Sequence, residues 1–512
     1  MSRPEAVTWT QPQHRQVVRR LRQPSCLREA GGRYWAVTPD FPFWLAGKPS
    51  RSSDALLVRN PYDNSPVGRT WLAGAPEFET AVLAGEHAAS PMRDMPAYRR
   101  ADILMGVSRG LTTRRDEIAR TLAAEAGKPI RDATTEVERA AMTFHVAAEE
   151  ARRLAGEMVP MDLAAHGEGH LAITRRFPIG LVAAISPFNF PLNLSAHKVA
   201  PAIAAGNPIV LKPATKTPLS ALYLGELLNE AGLPAGALSV LPMPRETGDR
   251  LVTDERFKLL TFTGSSAVGW DMRTRAGRKR VILELGGNAG VVVDESADVE
   301  SAARRVAVGG FALAGQSCIA VQRVYVHAAV FERFTTEVVR RVEALRVGDP
   351  LDPATDVGPM IDEHEAERIG AWVQEAVAAG GRVLTGGRRL AGSLYAPTVL
   401  TDVPSDAKVC AQEVFAPVIT LSRFMDFDAA LAAVNDSTYG LQAGVFTRDL
   451  EHALRAFDRL DVGGVIVNDV PTWRIDHMPY GGVKDSGLGR EGPRYTIEEM
   501  TELKLLVINR QS

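Results

Sequence analysis

The sequence predicts an α/β protein built on mostly parallel sheets covered by helices, and three observations carry that prediction. From residue 180 onward, short strand-length runs alternate with stretches of helical period. Runs such as 180–185 and 208–212 are apolar almost throughout, as strands buried on both faces are. Glycine or proline stands where several of these strands and helices must end, as at Pro213, Gly232, Pro234 and Gly264.

Taken in order, residues 1–38 read as a loosely ordered arm, interrupted by Pro4, Pro12 and Pro24. Apolar residues at three- and four-residue spacing predict helices over 77–89, 97–112, 116–126 and 131–154. Residues 159–176 are polar, with Gly167 and Gly169 between strand-like flanks, and suggest a projecting hairpin. The alternation then runs strand 180–185, helix 194–205, strand 208–213, helix 219–231 and strand 237–241. Strand 259–263 opens at Gly264 into a helix, and strands 281–285 and 290–293 close the first set. A second set follows Cys318, with strand 321–326, helices 329–345 and 363–379, and strands 417–421 and 464–468. The division between the sets is expected near Asp294. The tail 501–508 is β-prone, and its edge could pair with another subunit or within the chain.

The bulk properties exclude several classes of function. The 59 basic and 61 acidic side chains leave a formal net charge of −2, which offers no general attraction to nucleic acid or an anionic membrane. No apolar run approaches the roughly 20 residues that a membrane span needs. The first 32 residues lack the apolar core of a secretory signal. Three cysteines (Cys26, Cys318 and Cys410) form no disulfide framework and fit a reducing compartment, so a cytoplasmic location is expected.

The chemistry gathers on a few residues. Cys318 follows Gly315-Gln316-Ser317, so a substrate carbon could reach its sulfur past small and flexible neighbours. A free cysteine is more often a buried structural residue, and a neutral thiol is only a few per cent ionised at about pH 7. Glu284 lies in an apolar strand followed by Gly286-Gly287, where burial should raise its pKa toward that of a general base. A salt-bridged structural glutamate is the plainer alternative. Asn189 sits between two prolines in Pro187-Phe188-Asn189-Phe190-Pro191 and could donate to an oxyanion, or could satisfy its own turn. Lys212 ends a strand, where open α/β sheets bind ligands. Gly264-Ser265 opens a helix whose free N–H groups suit a phosphate, although the full dinucleotide glycine spacing is missing. The glycine-rich stretch 481–489 reads as a structural turn.

These segments, in this order, resemble the aldehyde dehydrogenase superfamily from about Phe43 to Ile508. The resemblance rests on Pro187–Pro191, Lys212-Pro213, Phe262–Ser265, Leu283–Gly287, Gly315–Cys318, Glu413–Pro417 and Pro479–Lys484. It implies a Rossmann-like cofactor domain (39–158 with 177–293), an α/β catalytic domain (294–490) and a β-hairpin oligomerisation element (159–176 with 491–512). The last element implies a homodimer or homotetramer. By the same resemblance Cys318 is the nucleophile, Glu284 the general base and Asn189 the oxyanion donor. Lys212 would hold the adenosine ribose, Gly264 and Ser265 the pyrophosphate, and Glu413 the nicotinamide ribose beside Phe415. Ile185, Ser186, Val268, Leu285 and Gly286 are expected along the same cofactor crevice. No metal is expected.

The implied reaction oxidises an aldehyde to a carboxylic acid with NAD or NADP, through a thiohemiacetal and a thioester on Cys318. The presence of Glu284 argues against acyl transfer to coenzyme A. Thr215 stands where NAD-preferring members often carry glutamate, so NADP should be accepted. The runs Phe190–Lys198 and Phe415-Ala416-Pro417 resemble a branch containing lactaldehyde and non-phosphorylating glyceraldehyde-3-phosphate dehydrogenases, which suggests a small hydroxylated or anionic aldehyde. Arg474 and Gln316 are the expected substrate contacts, while Ser317 before the cysteine weakens a phosphate-substrate reading. Two rivals remain open at this level: a cofactor-independent thiol esterase, and a catalytically silent structural homologue.

Overall fold

The computed structural model describes residues 38–510, so all of the expected arm except Thr38 lies outside the described residues. Two large sheets organise what is described. The first has eight strands, in the order Lys48–Ser50, Phe43–Leu45, Leu238–Val240, Ile209–Lys212, Val182–Ile185, Leu259–Thr263, Arg280–Glu284 and Gly487–Leu488. Its five central strands are parallel, and each strand outside them pairs antiparallel with its neighbour. The chain enters the parallel part at Val182–Ile185, builds outward through Ile209–Lys212 and Leu238–Val240, then returns to the other side of its starting strand. That reversal is a topological switch point, and open α/β sheets bind ligands there, beyond the carboxyl ends of the strands. Ile185, Lys212, Thr263 and Glu284 are those carboxyl ends, and the pairing places Ile185 beside Lys212 and Thr263 beside Glu284.

The second sheet has seven strands, in the order Arg382–Thr385, Thr398–Thr401, Val418–Phe424, Arg323–His327, Gly290–Val293, Gln442–Phe446 and Gly464–Val467. All its neighbours are parallel except the first pair. Two placements differ from the sequence expectation. Gly290–Val293, expected to close the first set, lies at the interior of the second sheet between Arg323–His327 and Gln442–Phe446. The change of sheet therefore falls at 285–289, ahead of Asp294. Conversely Gly487–Leu488, late in the chain, pairs with Arg280–Glu284 of the first sheet. A valine-rich parallel strand is apolar on both faces whichever sheet it joins, so composition alone does not assign it.

A third, three-stranded sheet joins Met158–Val159, His170–Pro178 and Thr501–Asn509. The last two strands pair over their full length, from Thr501 opposite Pro178 to Asn509 opposite His170. Leu503, Leu505, Leu506, Val507 and Ile508 remain exposed on this sheet.

The helix Asn193–Ala205 places the loop that carries Asn189. It is buried along its whole length, and its first turn needs acceptors for backbone N–H groups that no preceding turn supplies. Glu136, from the neighbouring helix Ile130–Arg153, provides one: its Oε1 accepts from Leu192 N at 3.0 Å and Asn193 N at 3.1 Å. Its other oxygen pairs with the fully buried Lys128, whose Nζ lies 4.2 Å from the centre of the Phe190 ring. The loop is thereby tied at both backbone and ring.

Candidate active site

A cavity of about 440 Å³ opens at the switch point of the first sheet and is closed on its far side by the segment carrying Cys318. Strand ends and the turns after them supply one wall, including Ile185, Ser186, Gly264, Ser265, Leu285 and Gly286. Asn189, Glu284, Gln316, Cys318, Glu413 and Phe415 complete the part that sequence reading singled out. Lys212, Thr215, Val268 and Arg474 lie outside the lining. Lys212 is half-buried, its stem packed on Gly248, where a Cβ would come within 2.7 Å of the lysine Cε. Thr215 and Val268 are exposed.

Cys318 is delivered by a tight left-handed turn. Leu313 (φ 55°), Ala314 (φ 53°) and Gly315 (φ 69°) follow the helix Val299–Phe311 in succession. Left-handed backbone in two non-glycine residues is costly and is retained where surroundings over-determine it. At Gly315 a Cβ would sit 2.1 Å from Ala416 O, so only glycine fits. The Gln316 amide locks the turn: its Oε1 accepts from Ile361 N at 2.8 Å and its Nε2 donates to Leu313 O at 3.2 Å. Gln316 was expected to meet substrate; it lines the cavity, and these bonds tie each end of its amide to backbone. Asn189 Nδ2 donates to Gln316 O at 3.0 Å, which fixes the amide beside the cysteine and leaves its second N–H.

Burial sets the electrostatics. Cys318 keeps part of its surface open, but its sulfur contacts the Tyr480 hydroxyl at 3.0 Å. Burial, and then the charge of Glu284, push the thiol pKa well above its ordinary value. Glu284 is 1% exposed, and its Oε1 has no hydrogen-bond partner. Burial first, then repulsion from Glu491, raise its pKa to about 7, while Arg474, Cys318 and Lys198 pull the other way. Glu413 also rises to about 7 through burial, although its Oε1 accepts from Gly287 N at 2.9 Å. Gly286 permits that approach, since a Cβ there would meet the Glu413 carboxylate at 2.3 Å.

Behind the cavity lies a buried charge cluster that sequence reading missed. Lys198 Nζ donates to Thr263 Oγ1 at 2.7 Å and Thr261 Oγ1 at 3.1 Å, and reaches Glu491 at 3.5 Å. His197 and Arg139 both bind Asp476, at 2.9 Å each. Burial pushes the Asp476 carboxyl up, but these partners hold it well below the usual range. Arg474 belongs to this cluster: it pairs with Glu491 at 3.3 Å and lies 3.6 Å over the Tyr480 ring. Its side chain is only 6% exposed and lies outside the cavity lining, although it was expected to contact substrate. One signal was available: His197 and Lys198 are the only basic residues of a helix that is otherwise uncharged, and a lysine is almost never buried without a partner.

The crevice fits a dinucleotide. It offers strand ends at a switch point, the N-terminus of the helix Ser266–Arg275 and the buried Glu413 carboxylate at one wall. Among the described residues no group of three or more His, Cys, Asp or Glu side chains could hold a metal ion, and no helix is long and apolar enough to cross a membrane.

Comparison with known proteins agrees with this architecture. A 3-sulfolactaldehyde dehydrogenase of Priestia aryabhattai is 45% identical over 470 residues, covering 92% of this chain and 98% of that protein. The solved structure of aldehyde dehydrogenase 21 from Physcomitrella patens, in complex with the reaction product succinate, superposes with a TM-score of 0.91. It is 48% identical and covers 93% of this chain and 99% of that one. The glyceraldehyde-3-phosphate dehydrogenase GapN of Methanocaldococcus jannaschii, complexed with NADP, gives a TM-score of 0.85 at 39% identity, over 89% and 99% of the two chains. The family model described as the aldehyde dehydrogenase family matches residues 48–506. With nearly the whole chain matched, this protein belongs to the aldehyde dehydrogenase family and is an NAD(P)-dependent oxidoreductase acting on aldehydes.

Proposed function

We propose that the protein oxidises a short, polar, negatively charged aldehyde to its acid through a covalent intermediate on Cys318, with NADP accepted as cofactor. The observation that carries the reading is the convergence of Cys318, Glu284 and Asn189 on one cavity at the switch point of a parallel sheet. Glu284, with a pKa near 7, takes the proton of the Cys318 thiol. The sulfur attacks the aldehyde carbon, and the free N–H of Asn189 receives the oxygen as it becomes anionic. A bound nicotinamide would supply the acceptor for the hydride on this carbon, whose loss would leave a thioester on Cys318. Glu284, once it has released the thiol proton to solvent, takes a proton from water, whose oxygen attacks the thioester and expels the Cys318 sulfur. Glu413, Gly264, Ser265, Ile185, Ser186, Leu285 and Gly286 would hold the dinucleotide, with Lys212 and Thr215 toward its adenosine end and Val268 on the helix beyond Ser265.

The substrate class is supported by the relatives rather than by a free arginine. One relative is named for sulfolactaldehyde, and one structural neighbour holds succinate. Arg474 would act from behind Tyr480 as a fixed positive charge, and Gln316 by holding the cysteine turn. NADP acceptance rests on Thr215, which offers a hydroxyl and no carboxylate, and on a neighbour complexed with NADP. The exposed apolar strand Thr501–Asn509 suits assembly of two or four copies.

The test is aldehyde-dependent reduction of NAD and NADP with lactaldehyde, sulfolactaldehyde, succinate semialdehyde and glyceraldehyde 3-phosphate. Activity should appear in wild type, favour the charged aldehydes and vanish in Cys318→Ser. Ester cleavage without cofactor, in the absence of aldehyde oxidation, would replace this reading with a thiol esterase.

A further inference from the structure

We propose that the Tyr480 hydroxyl is a further catalytic group, which donates a hydrogen bond to the Cys318 sulfur and so stabilises the thiolate that forms when Glu284 takes the proton. The inference rests on the reading of Cys318 as nucleophile given above. Tyr480 Oη lies 3.0 Å from Cys318 Sγ, and either atom could donate while the sulfur is a thiol. Once the sulfur is anionic only the phenol still carries a proton, and the bond has one direction left.

The tyrosine is built into place. It is 1% exposed and packs with Ile319 and Leu441 beside the cysteine. The Arg474 guanidinium covers its ring face at 3.6 Å. Its backbone pairs in both directions with Glu491, Tyr480 N–H to Glu491 O at 3.1 Å and Glu491 N–H to Tyr480 O at 2.6 Å. Phenylalanine would fill the same space and keep each of these contacts. The hydroxyl adds one thing, the contact with sulfur, and among the described residues it has no other hydrogen-bond partner. A buried hydroxyl committed to a single sulfur is costly unless that bond is used.

In the reacting pair the Cys318 proton passes to the Glu284 carboxylate. The sulfur lone pair forms the C–S bond, and the carbonyl π electrons move to oxygen. Tyr480 keeps its own proton throughout, and its bond to sulfur weakens as negative charge leaves that atom. The titratable and charged groups bearing on the sulfur are Glu284, Tyr480 and Arg474, with Lys198 and Glu491 bearing on Glu284 in turn.

The experiment is Tyr480→Phe in the full-length enzyme, with Cys318 alkylation by iodoacetamide followed by peptide mass spectrometry across pH. A hydrogen bond to a charged group is worth about one pKa unit or more. The apparent thiol pKa should therefore rise by about one unit, and alkylation near neutral pH should slow about tenfold. The value of kcat/KM should fall similarly, with little change in KM. An unchanged alkylation profile in a variant with the wild-type unfolding midpoint overturns the proposal. Should Tyr480→Phe misfold, 3-fluorotyrosine placed at 480 gives a more acidic phenol and a stronger donor. The thiol pKa must then fall, and an unchanged value overturns the proposal equally. Full activity in Cys318→Ser would instead remove the functional reading beneath it. An inactive Cys318→Ser beside a wild-type profile in Tyr480→Phe would remove the tyrosine's role alone.

Discussion

Glu284→Gln should make the protein more stable, and increasingly so as pH rises. Burial and the Glu491 charge raise the Glu284 pKa from 4.5 to about 7 in the folded protein. One pKa unit is about 1.4 kcal/mol, so holding this carboxylate ionised costs the folded state roughly 3 kcal/mol. The folded state binds the proton more tightly than the unfolded chain does. The Glu284 contribution to stability is therefore greatest below about pH 4.5, falls as pH rises, and is fully lost above about pH 7. Glutamine fills nearly the same volume and does not titrate. The stability difference between variant and wild type should thus grow by roughly 3 kcal/mol in the variant's favour from about pH 4.5 to pH 8. Urea midpoints of both proteins at several pH values, with slopes compared to check for equal exposed surface, measure it. The same carboxyl should give wild-type kcat/KM an acid limb centred near pH 7. A stability difference that stays flat across this range would refute the claim that Glu284 is a desolvated, poised acid.

Three further outcomes follow from the structure. Gly286→Ala puts a Cβ 2.3 Å from the Glu413 carboxylate. The displaced carboxylate should raise KM for the dinucleotide by about tenfold or more, with a smaller effect on aldehyde KM, in steady-state kinetics. Thr215→Glu should lower the ratio of NADP to NAD kcat/KM, on the order of 100-fold, because a new carboxylate repels a 2′-phosphate. Glu136→Gln leaves Lys128 buried without its counter-charge and should lose about 3–5 kcal/mol in denaturant unfolding. Adding Lys128→Met to it should recover most of that loss.

How far the sequence spoke depended on whether a feature was local. The parallel strands were legible because a continuous apolar run needs no knowledge of its partner. Cys318, Glu284 and Asn189 were legible because each stands out from its own segment, and the structure brings all three to one cavity. Pairing across the chain left no such mark. Nothing in Gly290–Val293 says which sheet it joins, and nothing in Gly487–Leu488 says that it returns to the edge of the first. Tyr480 lies inside a quoted motif, yet its contact with sulfur depends on a backbone pairing with Glu491 that no period predicts. The burial of Arg474 was illegible for the same reason, because its partner Glu491 lies beyond the glycine turns.

The pairing of Cys318 with Glu284 is at first sight self-defeating. Burial and the Glu284 charge both push the thiol pKa up, so the group that should activate the sulfur also disfavours its anion. The conflict disappears when the proton is followed. A thiol beside a carboxylate and a thiolate beside a carboxylic acid carry the same single negative charge. When Glu284 takes the proton, the repulsion it exerted on the sulfur goes with it. Burial therefore disfavours two charges in the pocket far more than it disfavours moving one. Burial raises the Glu284 pKa to about 7, which makes it a stronger acceptor for the thiol proton than an ordinary carboxylate. The fixed charges of Lys198 and Arg474 on one side, and Glu491 on the other, set where that balance lies. In a solvated site the two groups would titrate separately and the thiol would remain protonated. Under the proposed mechanism, burial of the pair is what would let a neutral cysteine and a desolvated glutamate act as one unit, with the buried cluster behind the cavity tuning the balance.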